Sequence, residues 1–227
     1  MEITGSSKTK KYTLYSAEAV LMRSELVISG AQSDPEILSA MEMFGYDSAA
    51  LMEAQAQLEG VQEFLVVVQQ ARAAQKEATH TVKLAFSTAR VACSDLAILA
   101  REVFKDDNAA LATIGLSRGN QPQALADFLL YADRLFAGAL TAPDAIKQKL
   151  AARGYGVARL TSEKTKVETL HRLNQAQEQA KGTAQDLTPQ QAHLLNELDS
   201  WTMTYRKLAR RALRERPQLL EKLGIQA

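Results

Sequence analysis

Cysteine is nearly missing from this chain. The single thiol, Cys93, has no partner for an internal disulfide, which fits a reducing compartment, with the cytoplasm as the expected location. Turn-forming residues are equally sparse, with 11 glycines and 5 prolines in 227 residues and aromatics at 6%, against an abundance of Ala, Leu and Gln. That balance excludes a turn-rich β fold and predicts an all-α chain of long helices. Long apolar runs are also lacking. The best, Phe64 to Val68, is interrupted by Gln69 and Gln70, so no segment predicts a membrane span. The opening "MEITGSSKTKKYTLYS" has no apolar stretch after its lysines and predicts no secretory leader. The phosphate-loop and dinucleotide-binding glycine patterns do not occur.

What is present is a repetition. The closing stretch "LARRALRERPQLLEKLGI" paraphrases "LAREVFKDDNAALATIGL" at residues 99–116. A shift of 109 places Gly45-Tyr46 on Gly154-Tyr155, Leu99-Ala100-Arg101 on Leu208-Ala209-Arg210, and Gly115 on Gly224. Ala85, Ala89, Ala92, Leu96, Leu99 and Val103 alternate spacings of four and three, and Leu194, Leu198, Trp201, Tyr205, Leu208 and Ala212 do the same. Each set draws one apolar stripe along a helix. Upstream, Val20, Leu21, Val27, Ile28 and Pro35 correspond to Phe128, Leu129, Leu135, Phe136 and Pro143. The expectation is two tandem, internally duplicated helical-bundle repeats of about 105 residues, at 13–116 and 123–227. A flexible arm (1–12) precedes them, and a polar linker (117–122, within "SRGNQPQ") joins them.

Within each repeat the patterning predicts a first helix (16–31 and 122–139) and a proline-led short helix (35–44 and 143–153). A Gly-Tyr turn leads to a long helix (47–77 and 157–184). Leu51, Ala54, Leu58, Val61, Leu65 and Val68 form the seam of the first copy, and Leu160, Val167 and Leu170 mark that of the second. Thr79-His80 and Thr188-Pro189 then read as reversals, with Thr as N-cap and Pro189 at the first helical position. Each repeat is expected to fold as long antiparallel helices closed by a short capping helix, 108–114 or 217–223. Trp201 and Tyr205 stand where the first copy has Ala92 and Leu96. The first seam therefore needs filling by Phe86 or Phe104, or is left as an apolar groove for a partner helix or hydrophobic ligand.

Chemistry-bearing patterns are few. Glu77 to His80 and Glu168 to His171 have the Glu-x-x-His spacing that di-metal bundles use. They are not repeat equivalents, and the seam leaves Glu168 facing away, so both read as surface residues and neither metal nor cofactor is expected. His193 and Glu197 read as a flanking pair. Cys93, beside the seam residue Ala92, reads as packing material. The remaining candidate is a cationic row, Arg206, Lys207, Arg210, Arg211 and Arg214, suited to phosphates of nucleic acid or an anionic membrane. Residues 1–116 carry 10 Lys/Arg against 15 Asp/Glu, and residues 117–227 carry 17 against 11, so opposite halves could also meet head to tail between molecules. The reading that follows is a non-enzymatic scaffold or protein-interaction module, with a protein partner or self-association and no small-molecule substrate. A nucleic-acid or membrane binder using the cationic row is the alternative, and a bundle holding a metal or hydrophobic ligand is a third.

Overall fold

The computed structural model describes residues 16–116 and 121–226, and the expected arm and most of the expected linker lie outside them. Among the described residues every regular element is an α-helix. The order is α1 (Ala17–Ser33), α2 (Pro35–Glu42), α3 (Ser48–Val103), α4 (Asn108–Thr113), α5 (Leu125–Thr141), α6 (Asp144–Ala151), α7 (Val157–Ala212) and α8 (Pro217–Lys222).

Local chemistry fixes most of these boundaries. Ser16 accepts from the Ala19 amide at the start of α1. The Asp34 carboxylate takes the Glu36 and Ile37 amides at the start of α2, where Pro35 needs no donor. Asp107 caps α4 through the Ala110 amide at 2.9 Å. The Gly-Tyr turns close α2 and α6 alike: Gly45 and Gly154 have φ of 81° and 84°, and the amides of Tyr46 and Tyr155 reach back to the carbonyls of Met41 and Leu150. That left-handed backbone with a six-to-one bond is a helix C-cap that side chains with a Cβ disfavour.

The expected reversals do not occur. α3 and α7 are each helical for 56 residues, straight through Thr79-His80 and Thr188-Pro189. Both threonines turn their hydroxyls onto carbonyls of the preceding turn, Thr79 to Gln75 at 2.9 Å and Thr188 to Ala184 at 3.1 Å, instead of capping. No glycine or asparagine adjoins Thr79 to end α3, and the apolar seam continues through it from Val68 to Val82, both buried. Pro189 lies inside α7, where it withholds one backbone donor. The site is exposed, so water can reach the freed carbonyl, and the Gln190 side chain serves the Asp186 carbonyl beside it at 3.2 Å.

The chain forms two compact units that do not coincide with the sequence repeats. Unit 1 is Met1–Ala71 with Thr183–Ala227, and unit 2 is Arg72–Gly182. Unit 1 therefore combines α1, α2 and the first part of α3 with the last part of α7 and α8. Unit 2 combines the rest of α3 and α4 with α5, α6 and the first part of α7. The long helices run antiparallel within each unit, as Tyr46 against Tyr205 together with Gln57 near Glu197 shows in unit 1, and as Thr79 near Gln177 together with Cys93 near Glu163 shows in unit 2. The starts of α2, α3 and α4 recur 109 residues later in α6, α7 and α8, and that of α1 recurs 108 later in α5.

Two helical glycines mark close approaches between helix backbones. A Cβ on Gly30 would lie 2.5 Å from the Lys222 carbonyl oxygen, and one on Gly138 would lie 2.7 Å from the Ile114 carbonyl carbon. α1 therefore rests on the backbone of α8, and α5 on the backbone at the end of α4. The closing helix of each sequence half thus seals the unit that holds the other half's first helix.

Both cores follow the expected seams. Leu51, Ala54, Leu58, Val61, Leu198 and Tyr205 are buried in unit 1, and Ala89, Ala92, Leu96, Leu160, Val167 and Leu170 in unit 2. The bulky Trp201 and Tyr205 share unit 1 with Val20, Val27 and Ile28. The small Ala89, Ala92 and Cys93 share unit 2 with Phe86, Phe104, Phe128 and Phe136. Phe86 meets Phe128 edge to face at 5.0 Å. The seam expected to need filling is filled by these phenylalanines, each adding about 1.5–3 kcal/mol where fully buried.

Candidate interaction surfaces

Each unit carries an open groove where its short second helix meets the end of a long helix. In unit 1, Pro35, Glu36, Ala40, Met43 and Phe44 face Arg211 to Arg216 across a groove of about 640 Å³. Met43 is 78% exposed at its mouth. Arg216 Nη1 meets Glu36 Oε2 at 2.7 Å, and Arg214 lies 3.5 Å from Glu215, both between well-exposed partners. At the start of α2, Lys222 Nζ holds Asp34 Oδ2 at 2.6 Å. That ammonium and the capping amides hold the Asp34 carboxyl below the usual aspartate range, and the carboxylate holds the Lys222 amine above its own.

The groove in unit 2 is larger, about 1040 Å³, and differently lined. Ile98, Leu99 and Val103 of α3 form an apolar strip, with Ile98 64% exposed, and Asp95 and Glu102 share the same helix. Opposite are Lys149, Arg153, Tyr155 and Arg159. The Arg159 guanidinium lies 4.0 Å from the centre of the Tyr155 ring, and Lys149 sits over Phe104 at 5.7 Å. Helix equivalence places Lys149 and Ala152 with Ala40 and Met43, and Glu102 and Lys105 with Arg211 and Arg214.

The predicted cationic row is divided by the structure. Lys207, Arg210 and Arg211 are exposed on the last turns of α7. Arg206 is half-buried and donates to the Gly224 carbonyl at 3.2 Å, fastening the chain behind α8. Arg214 lies beyond the end of α7, on the groove rim. The acidic segment 16–71 shares unit 1 with these cations, so the charges that suggested a contact between molecules already meet inside one chain, at Glu36–Arg216 and Asp34–Lys222.

The histidines and their neighbouring glutamates lie at helix surfaces, with His80 inside α3 and not at a reversal. Glu77 and His80 are exposed mid-helix, and Glu168 pairs with Lys164 at 3.1 Å. His171 Nε2 is 2.9 Å from Asp133 of α5, and His193 is 3.5 Å from Glu197. Among the described residues no group of three or more His, Cys, Asp or Glu is placed to hold a metal ion. No described helix is long and apolar enough to cross a membrane. The Cys93 thiol is buried, and that burial first, then Asp133 and Glu163, pushes it up to about 12. Its side chain packs in the core of unit 2, where the thiolate form is disfavoured. Sequence reading missed Met43, Lys149, Arg153 and Arg159, whose only signal was position beside the Gly-Tyr turns. No family model, no curated protein and no solved structure gives a significant match to the chain.

Proposed function

We propose that this chain is an internally duplicated helical scaffold that binds protein partners through the two grooves, and that it is not an enzyme. The observation carrying this reading is that one place in the fold is built twice and lined differently. Unit 1 offers arginines around an exposed methionine, whereas unit 2 offers an apolar strip flanked by charges of both signs. Two copies of one device with divergent linings suit two different protein segments, since apolar contact supplies affinity and the charged rim supplies discrimination. The recurrence of element order and starts after 108 or 109 residues supports the duplication. The burial of Cys93 and the surface pairing of His171 and His193 support a non-catalytic role.

Photo-crosslinking residues placed at Met43 and at Ile98, with one at exposed Gln69 as control, test the proposal in extracts of the source. Distinct protein adducts at positions 43 and 98 are expected. Adducts at neither, or the same adducts at the control, would overturn it. A second reading draws on the exposed Lys207, Arg210 and Arg211, which suit an anionic polymer or lipid surface. It requires binding that weakens steeply with salt and disappears in the triple alanine variant.

A further inference from the structure

We infer that a small set of complementary contacts in unit 1 selects the exchanged pairing of sequence halves over two self-contained repeats. The inference rests on the duplication proposed above. A duplicated chain has two ways to close its bundles: segment 16–71 can dock on 183–226, as it does, or on 72–116 after a reversal near residue 79. The general apolar pattern is shared by both partners. Net charge does not separate them, because 183–226 carries 7 Lys/Arg against 5 Asp/Glu, and 72–116 carries 6 against 5. Individual positions must decide.

At the α1–α7 contact, Arg23 Nη1 meets Asp199 Oδ1 at 3.0 Å with both side chains mostly buried. One turn deeper the Ser24 and Thr202 hydroxyls lie 2.7 Å apart, both fully buried. Ser24 spends its proton on the Val20 carbonyl at 2.9 Å, so Thr202 is the donor between them. The equivalent positions in unit 2 are Tyr131 and Ala132 on α5, and Arg90 and Cys93 on α3. Docking 16–71 on 72–116 would set Arg23 against Arg90 and Glu36 against Asp107, both like-charge pairs. Docking 121–182 on 183–226 would oppose Ala132 to Thr202 and remove the cross-helix partner of its hydroxyl.

Side-chain size points the same way. The competing pairing would put Val20 and Ile28 against Ala92 and Leu96, leaving space. It would also put Phe128 and Phe136 against Trp201 and Tyr205, overfilling the core.

The full chain carrying Ser24→Cys and Thr202→Cys, with native Cys93 kept, tests this after refolding from urea in a glutathione redox buffer. Peptide mapping should find the 24–202 disulfide. A 24–93 disulfide would contradict the exchanged pairing itself, and with it the architecture on which the proposal stands. Adding Arg90→Asp and Asp199→Arg should raise the ratio of 24–93 to 24–202 at least about tenfold, the scale expected when a buried ion pair is moved. An unchanged ratio in a helical protein would overturn the selection while leaving the exchanged fold intact. Should that variant lose helicity, Arg90→Asp alone decides the matter, since it leaves the Arg23–Asp199 pair intact and gives Arg23 an opposite charge in the competing pairing. A raised ratio of 24–93 to 24–202 supports the selection, and an unchanged ratio overturns it.

Discussion

Single side chains in this molecule illustrate how burial and partnership separate. Tyr205 is fully buried in unit 1, stacked on Trp201 at 5.4 Å, yet its hydroxyl has no hydrogen-bond partner. A stranded hydroxyl costs about 1–3 kcal/mol, so Tyr205→Phe should leave stability unchanged or raise it. Tyr205→Ala should lose about 3–5 kcal/mol through the cavity. Urea unfolding of both variants checks the pair, and a loss of more than 1 kcal/mol on Tyr205→Phe would mean that the hydroxyl is satisfied. Cys93 should resist a disulfide reagent until the protein unfolds, because its thiol, at about 12, holds almost no thiolate near neutrality. At the Asp34–Lys222 tie the carboxyl is depressed on folding, so its contribution is complete above the unfolded aspartate value of about 3.9. It is lost as pH falls through the lower folded value. The stability gap between wild type and Asp34→Asn, followed by thermal melts, should be constant near neutral pH and close in acid below the usual aspartate range.

At the scale of elements, contacts between helices matter more than helix propensity. Gly30→Ala improves the helix former in α1 but drives a methyl toward the Lys222 carbonyl, 2.5 Å away, and should destabilise unit 1 by about 1–3 kcal/mol. Gly60→Ala in α3 meets nothing within 4 Å and should stabilise by about 0.5–1 kcal/mol. Opposite signs for the same substitution, read from urea midpoints, are the expected outcome. The elements themselves were largely legible in the sequence. The seams from Leu51 to Val68 and from Ala85 to Val103 are those observed, and Asp34-Pro35, Gly45 and Gly154 mark real boundaries. Thr79 and Pro189 misled because a cap residue is a local signal. Whether it acts depends on whether the seam needs to continue beyond it, and here α3 and α7 both continue.

Across the whole molecule, the repeat was legible but its closure was not. Apolar spacing specifies that a helix has a partner face and leaves open which of two similar faces it meets. That choice resides in a few positions, Arg23 with Asp199 and Ser24 with Thr202, whose counterparts Tyr131, Arg90, Ala132 and Cys93 are unremarkable until the pairing is seen. The grooves were hidden for the same reason, since each brings together residues more than 40 positions apart in sequence. The cationic row, by contrast, was conspicuous in sequence, and part of it holds the fold together through Arg206.

The central claim is that the first helix of the chain docks on the last long helix. Spin labels at exposed Glu25 and Thr204 in a Cys93→Ala background measure this in solution by electron-electron double resonance. Neighbouring helices with axes about 8–10 Å apart should give one narrow distribution below about 25 Å, label tethers included. Absence of that short distance, with a short one between labels at Glu25 and Asp95 in its place, would contradict the account.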